Sequence, residues 1–232
     1  MATIASKLDE VSGRIARACD AAGRPVSSVT LLAVSKTFSA DAVREAMSAG
    51  QARFGENYVQ EALYKMAALA EVRPQLEWHL IGPLQSNKTR VVAESFDWVH
   101  SVDRLKIAQR LSEQRPAHLP ALQVCLQVNI SGEASKSGLA PAEVQTVARA
   151  VAALPRLTLR GVMAVPEPAG DLAAQRRPHR ALRELLASLN AGGLTLDTLS
   201  MGMTADLEAA VLEGATMVRV GTAIFGGRPA VA

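Results

Sequence analysis

Val29-Thr30-Leu31-Leu32-Ala33-Val34-Ser35-Lys36-Thr37 is an aliphatic, β-branched run that ends in an amine. A run of this kind reads as a buried strand. Seven more follow, at 52–57, 77–82, 97–102, 121–130, 158–165, 197–202 and 216–221. Amphipathic helical patterns stand between them near 40–49, 58–72, 87–95, 103–114, 141–153, 171–190 and 205–213, and another at 3–22 precedes the first strand. Strands that alternate with helices build right-handed βαβ units on a parallel sheet. Eight such units close into an α/β fold, a (β/α)8 TIM barrel, here with an extra N-terminal helix and forming one domain over residues 1–232. The alternative is an open doubly wound sheet. Against it, no GxGxxG follows the first strand and no Pro/Gly-rich linker halves the chain.

Local signals agree with these boundaries. Ser39 and Asp41 open the second helix, Pro141 suits a first helical turn, and Gly50 and Gly214 follow helices as stops. Pro178 is expected to split the 171–190 segment into a short piece ending at 177 and a new helix beginning at the proline.

Composition excludes several classes of function. With 49% hydrophobic, 20% charged and 3% aromatic residues, the chain is globular with an aliphatic core. A net charge of +3 is too mild for nucleic acid but suits a small anionic ligand, and no basic stripe is interleaved with aromatics. The amino terminus lacks a signal-peptide pattern, and no apolar run approaches the roughly 18 residues of a membrane span. A cytoplasmic protein follows, with Cys19 and Cys125 reduced and buried. The histidines at 79, 100, 118 and 179 show no metal-ligand spacing, and His79 reads as a satisfied core residue.

In a barrel, Lys36 would lie at the carboxyl end of the first strand, where chemistry is built. Burial and nearby positive charge would leave it a free amine able to condense with an aldehyde; otherwise it caps the strand and reaches solvent. The loops after strands seven and eight, Leu199-Ser200-Met201-Gly202-Met203-Thr204 and Val220-Gly221-Thr222-Ala223, offer hydroxyls and approachable amides for a phosphate, or are ordinary turns. Because strand eight neighbours strand one in a closed barrel, a ligand with a phosphate at one end and an aldehyde at the other fits. Pyridoxal 5′-phosphate (PLP) is such a ligand. Arg219 shares the inward parity of Gly221 and needs an acceptor, either the pyridine nitrogen or a barrel carboxylate. Asn57 could bond the ring hydroxyl or cap a turn. Lys136, in Ser135-Lys136-Ser137-Gly138, is a second candidate amine or a solvated loop lysine.

Taken together, Ala33-Val34-Ser35-Lys36-Thr37, Phe54-Gly55-Glu56-Asn57-Tyr58-Val59-Gln60-Glu61, Trp78-His79-Leu80-Ile81-Gly82-Pro83, Leu159-Arg160-Gly161-Val162-Met163-Ala164, Leu199-Ser200-Met201-Gly202-Met203 and Val218-Arg219-Val220-Gly221-Thr222 resemble the pyridoxal phosphate homeostasis protein family. These are single-domain relatives of the alanine racemase amino-terminal barrel, of fold-type III. The resemblance implies that Lys36 carries PLP as a Schiff base, that Ser200, Gly221 and Thr222 hold its phosphate, and that Arg219 faces the pyridine nitrogen. It implies a carrier that delivers the cofactor to apoenzymes and has no catalytic residues, metal, nucleic acid or membrane partner, acting as a monomer. Thr204 and the Pro178-His179 pair depart from the family's usual serine and aromatic residue. The alternative is a weak PLP-dependent racemase or transaminase. Against that, such enzymes take a second base from a β-rich domain, and the chain ends at Ala232, soon after strand eight.

Overall fold

Along each strand, alternate side chains enter the barrel, and these inward positions decide what fills the lumen. In the computed structural model, which describes residues 2–132 and 137–227, one inward layer is Leu32, Trp98, Cys125, Met163 and Met217, with Ile81 against it. These residues lie on β1 (Thr30–Val34), β4 (Trp98–Val102), β5 (Leu122–Gln127), β6 (Leu157–Met163) and β8 (Met217–Val220). With β2 (Arg53–Glu56), β3 (Glu77–Leu80) and β7 (Thr198–Ser200) they form a closed parallel barrel in sequence order. The seam runs from Thr30↔Met217 to Ala33↔Val220, which brings the loops after β1 and β8 together. The fold read from the sequence is therefore the fold observed.

The observed strands sit within or near the expected runs, trimmed where the chain turns toward its helix. The expected 121–130 strand ends at Gln127, after which Val128 makes a lone bridge to Leu139. The outer ring comprises α1 (Ile4–Ala21), α2 (Ala40–Ser48), α3 (Val59–Ala68), α4 (Thr89–Ser95), α5 (Leu105–Gln114), α6 (Pro141–Ala152), α7 (Leu172–Ala191), α8 (Leu207–Leu212) and the short α9 (Thr222–Phe225). The helical pattern at 58–72 gives way after Ala68 to a tighter turn, Ala70–Gln75, that accommodates Pro74. As expected, Ser39 caps α2 by accepting from the Ala42 N–H, and Pro141 opens α6. At four residues, α9 is too short to cover the barrel. The extra helix α1 instead packs between α8 and α2, burying Leu8, Val11, Ile15, Ala18 and Cys19. Arg14 fastens it there with bonds of 2.7 Å to Glu208 and 2.8 Å to the Thr204 carbonyl.

The expected break at Pro178 does not occur. One helix runs unbroken from Leu172 to Ala191 with the proline inside. A mid-helix proline costs about 3 kcal/mol through its missing N–H and ring clash, and anchors on both sides oppose that cost. Arg176 Nε lies 2.6 Å and Arg180 Nη2 3.0 Å from the buried Glu213, with Arg183 Nη1 at 2.9 Å. Buried His179 bonds Asp206 at 2.9 Å. Residue-level propensity here yields to tertiary contacts that only the folded barrel assembles.

Candidate functional site

Lys36 follows β1 by two residues and keeps the inward parity of Leu32 and Val34. A buried charge cluster holds the turn on both sides of it. The Ser35 N–H donates to the Gly55 carbonyl at 3.0 Å, and its hydroxyl donates to Glu56 Oε1 at 2.6 Å. From α3, Lys65 Nζ donates to the Ser35 carbonyl at 2.6 Å and to Glu56 and Glu61 Oε1 at 2.7 Å each. Glu61 in turn accepts the Thr37 N–H. Thr37 has φ 67°, a left-handed backbone that a β-branched residue adopts only when its surroundings impose it. Burial pushes the Glu56 carboxyl up, against the pull of Lys65 and Ser35. Glu56, Glu61 and Lys65 escaped the sequence reading. The one legible signal was a lysine four residues after a glutamate on α3, and nothing in the chain announces that it turns inward.

At the carboxyl ends of the strands lies a cavity of about 380 Å³, lined by Lys36, Asn57, Arg219, Gly221 and Thr222, with Val34, Phe38, Ile81, Met203 and Thr204 among the others. This falls within the range of small-molecule sites, about 300–1,000 Å³. Five of the six expected site residues are thus brought together. Gly221 allows the close approach of β8 to β1, since a Cβ there would stand 3.1 Å from the Val34 carbonyl. Gly82 plays the same part for Asn57: its Cβ would meet the Asn57 carbonyl at 2.1 Å. Asn57 Oδ1 is buried without a hydrogen-bond partner among the described residues. A polar atom orphaned at a cavity wall suits a ligand that supplies its partner.

Ser200, the sixth, is fully buried below the cavity and is not part of its wall. Its inward parity on β7 turns the hydroxyl into the lumen, where it accepts from Arg219 Nη1 at 2.8 Å and contacts His100 Nδ1 at 2.7 Å. Arg219 Nη2 donates to the Ala164 carbonyl at 2.9 Å. Among the described residues its partners are a hydroxyl and a carbonyl, so the carboxylate alternative weighed from the sequence is not what holds it. Burial pulls its pKa down to about 10. Lys136 lies outside the described residues.

His79 and His100 are fully buried, with His79 Nδ1 2.9 Å from His100 Nε2 and His79 Nε2 2.8 Å from Glu77 Oε1. His79 is a satisfied core histidine, as read. Its contact with His100 was hidden by a separation of 21 positions in the chain. Burial lowers both pKa values, that of His100 well below 6.5. The unfolded chain therefore takes up protons near pH 6.5 that the folded chain refuses, so stability is complete above that pH and falls below it. His100 alone predicts a loss of about 1 kcal/mol between about pH 6.5 and pH 5.5, with His79 adding to it in the same direction, to be measured by urea unfolding across that window. A flat profile would contradict the neutral pair.

The larger cavity, about 650 Å³, lies at the opposite end of the barrel. Its arginines already have partners: Arg73 bonds Asp97 at 2.9 Å, Arg160 bonds Asp197 at 2.7 Å, and Arg115 donates to backbone carbonyls. That end of a barrel serves stability. Among the described residues no group of side chains could hold a metal ion, and no helix is long and apolar enough to cross a membrane.

Residues 7–229 match the family of the alanine racemase N-terminal domain. The chain is 64% identical over 228 residues to the pyridoxal phosphate homeostasis protein of Pseudomonas aeruginosa, covering 98% of this chain and 97% of that one. It is 53% identical over 229 residues to the protein of the same name from Escherichia coli K12, covering 98% of each. Among solved structures, PipY of Synechococcus elongatus with PLP bound is 38% identical, covers 97% of this chain and 100% of its own, and superposes with a TM-score of 0.84. Alanine racemase from Corynebacterium glutamicum shares the fold at 21% identity and a TM-score of 0.68, matching 97% of this chain and 63% of that one.

Proposed function

The chain belongs to the pyridoxal phosphate homeostasis protein family, within the wider alanine racemase N-terminal-domain family, and on that premise we propose that its carboxyl-end cavity holds PLP for intracellular homeostasis. The observation that carries the reading is the convergence on one cavity of an amine, an orphaned amide oxygen, a buried guanidinium and the β8 loop. Lys36 is the amine that would carry PLP as a Schiff base. Asn57 would meet the ring hydroxyl, and Arg219, with donors beyond the two bonds it makes, would face the pyridine nitrogen. A permanent cation there keeps that nitrogen unprotonated, which suits holding the cofactor rather than stabilising a carbanion on it.

Gly221 and Thr222 would hold the phosphate, with Met203 and Thr204 beside them on the cavity wall, while Ser200 supports Arg219 from below. The reading extends to one domain that works as a cytoplasmic monomer and delivers PLP to apoenzymes. Its test is spectroscopic and chemical. PLP added to the protein should give an imine absorption band that borohydride bleaches, with the reduced adduct found by mass spectrometry on Lys36. Pyridoxal, lacking charge-assisted bonds of about 1.5–3 kcal/mol each, is expected to bind at least about tenfold more weakly. Equal affinity for the two aldehydes would remove the phosphate assignment.

A further inference from the structure

A hydrogen-bonded chain crosses the lumen beneath the cavity, from β8 through β7 and β4 to β3. It runs Arg219, Ser200, His100, His79, Glu77, with successive separations of 2.8, 2.7, 2.9 and 2.8 Å. Its far end, Glu77, lines the cavity at the opposite mouth of the barrel. The two ends fix its direction. A guanidinium only donates, so the Ser200 hydroxyl accepts from Arg219, which leaves its single proton for His100 Nδ1, the direction that the Glu77 carboxylate requires from the other end. His100 then carries its hydrogen on Nε2 and donates to His79 Nδ1. His79 donates from Nε2 to the Glu77 carboxylate, which only accepts. Every group is satisfied in one arrangement, with both histidines neutral. The reverse direction would ask the Glu77 carboxylate to donate.

Barrel lumens are filled mainly by branched apolar side chains, and polar groups there are costly unless each finds a partner. Here all of them do, and the chain ends on a residue of the cavity wall. We propose that this chain positions Arg219: Ser200 and His100 hold the guanidinium in one orientation beneath the cavity, and Glu77 sets the direction of the whole array from the other end of the barrel. His79, His100 and Ser200 are positioning residues, out of reach of the ligand. A guanidinium released from Ser200 would sample orientations that do not bind, and apparent affinity falls in proportion to the competent fraction.

The inference deepens the PLP reading, and its first test is independent of it. Nitrogen-15 NMR of the ligand-free protein should find His79 and His100 neutral with the proton on Nε2. A proton on Nδ1 of either histidine would overturn the direction of the chain. The second test compares His100→Leu, Ser200→Ala and His100→Gln, the last of which keeps an acceptor and a donor at the histidine's position. His100→Leu and Ser200→Ala should each weaken PLP binding about tenfold and shift the wavelength and pH profile of the bound-cofactor band, while His100→Gln stays near the wild type in both. If His100→Leu does not fold, Ser200→Ala carries the comparison. Unchanged affinity and spectrum in Ser200→Ala would sink the proposal, as would equal losses in His100→Leu and His100→Gln with no spectral shift. Absence of PLP binding by the wild type would instead dismiss the functional reading, leaving the histidine protons to decide the chain's arrangement.

Discussion

Replacing Lys65 with methionine should destabilise the folded protein by about 3–5 kcal/mol, the usual cost of removing one partner from a buried ion pair. Lys65 is 5% exposed and Glu56 fully buried. Without the ammonium, Glu56 Oε1 retains only the Ser35 hydroxyl, and Oε2 already lacks a partner among the described residues. Against a typical total of about 5–15 kcal/mol, the loss will show as a large drop in the urea midpoint. Its pH dependence identifies the cause. A buried Glu56 without its cation has a folded pKa above the unfolded value, so the penalty is full at neutral pH and shrinks as falling pH protonates the carboxyl. A deficit unchanged by acidification would point to lost packing. Because Lys65 and Glu61 grip the residues on both sides of Lys36, the variant should also bind PLP less well than its remaining folded fraction accounts for.

Lys36→Ala should lose all borohydride-fixable adduct, since alanine offers no amine. Reversible binding should persist at reduced affinity, because Arg219, Asn57 and the Gly221-Thr222 segment remain on the cavity wall. The measurement is the mass of the reduced, digested protein beside the absorption spectrum before reduction. A modified peptide of undiminished yield elsewhere would transfer the linkage to another amine, with Lys136 the first to examine. The same variant separates carrier from enzyme. Racemisation or transamination of amino acids by the wild type, lost in Lys36→Ala, would replace the homeostasis reading with catalysis.

The parity of Lys36 with Val34, and of Arg219 with Gly221, was legible because strand side chains alternate and closure makes β1 and β8 neighbours. Cavity-wall residues at the ends of those strands could therefore be named before any coordinates. Ser200 was expected at the phosphate as a loop hydroxyl. Its depth was not readable, because the level an inward side chain occupies depends on the stagger between strands, which the alternation along one strand does not encode. His79 and His100 illustrate the same limit: a register that pairs His79 with Trp98 sets them in contact. Pro178 shows the opposite failure, a strong local rule overridden by Glu213 and Asp206 from elsewhere in the fold.

The sequence by itself determined the barrel, the presence of an extra helix before its first strand and the end of the barrel that carries chemistry, since hydrophobic periodicity and chain order are local and cumulative properties. Only the tertiary structure decided which polar side chains meet inside: the Lys65 clamp on the Lys36 turn, the seat of Ser200 under Arg219, and the line of histidines leading to Glu77. Those contacts join residues far apart in the chain, at distances set by strand register and stagger. A buried polar group is defined by the partner that satisfies it, and that partner is a property of the folded barrel.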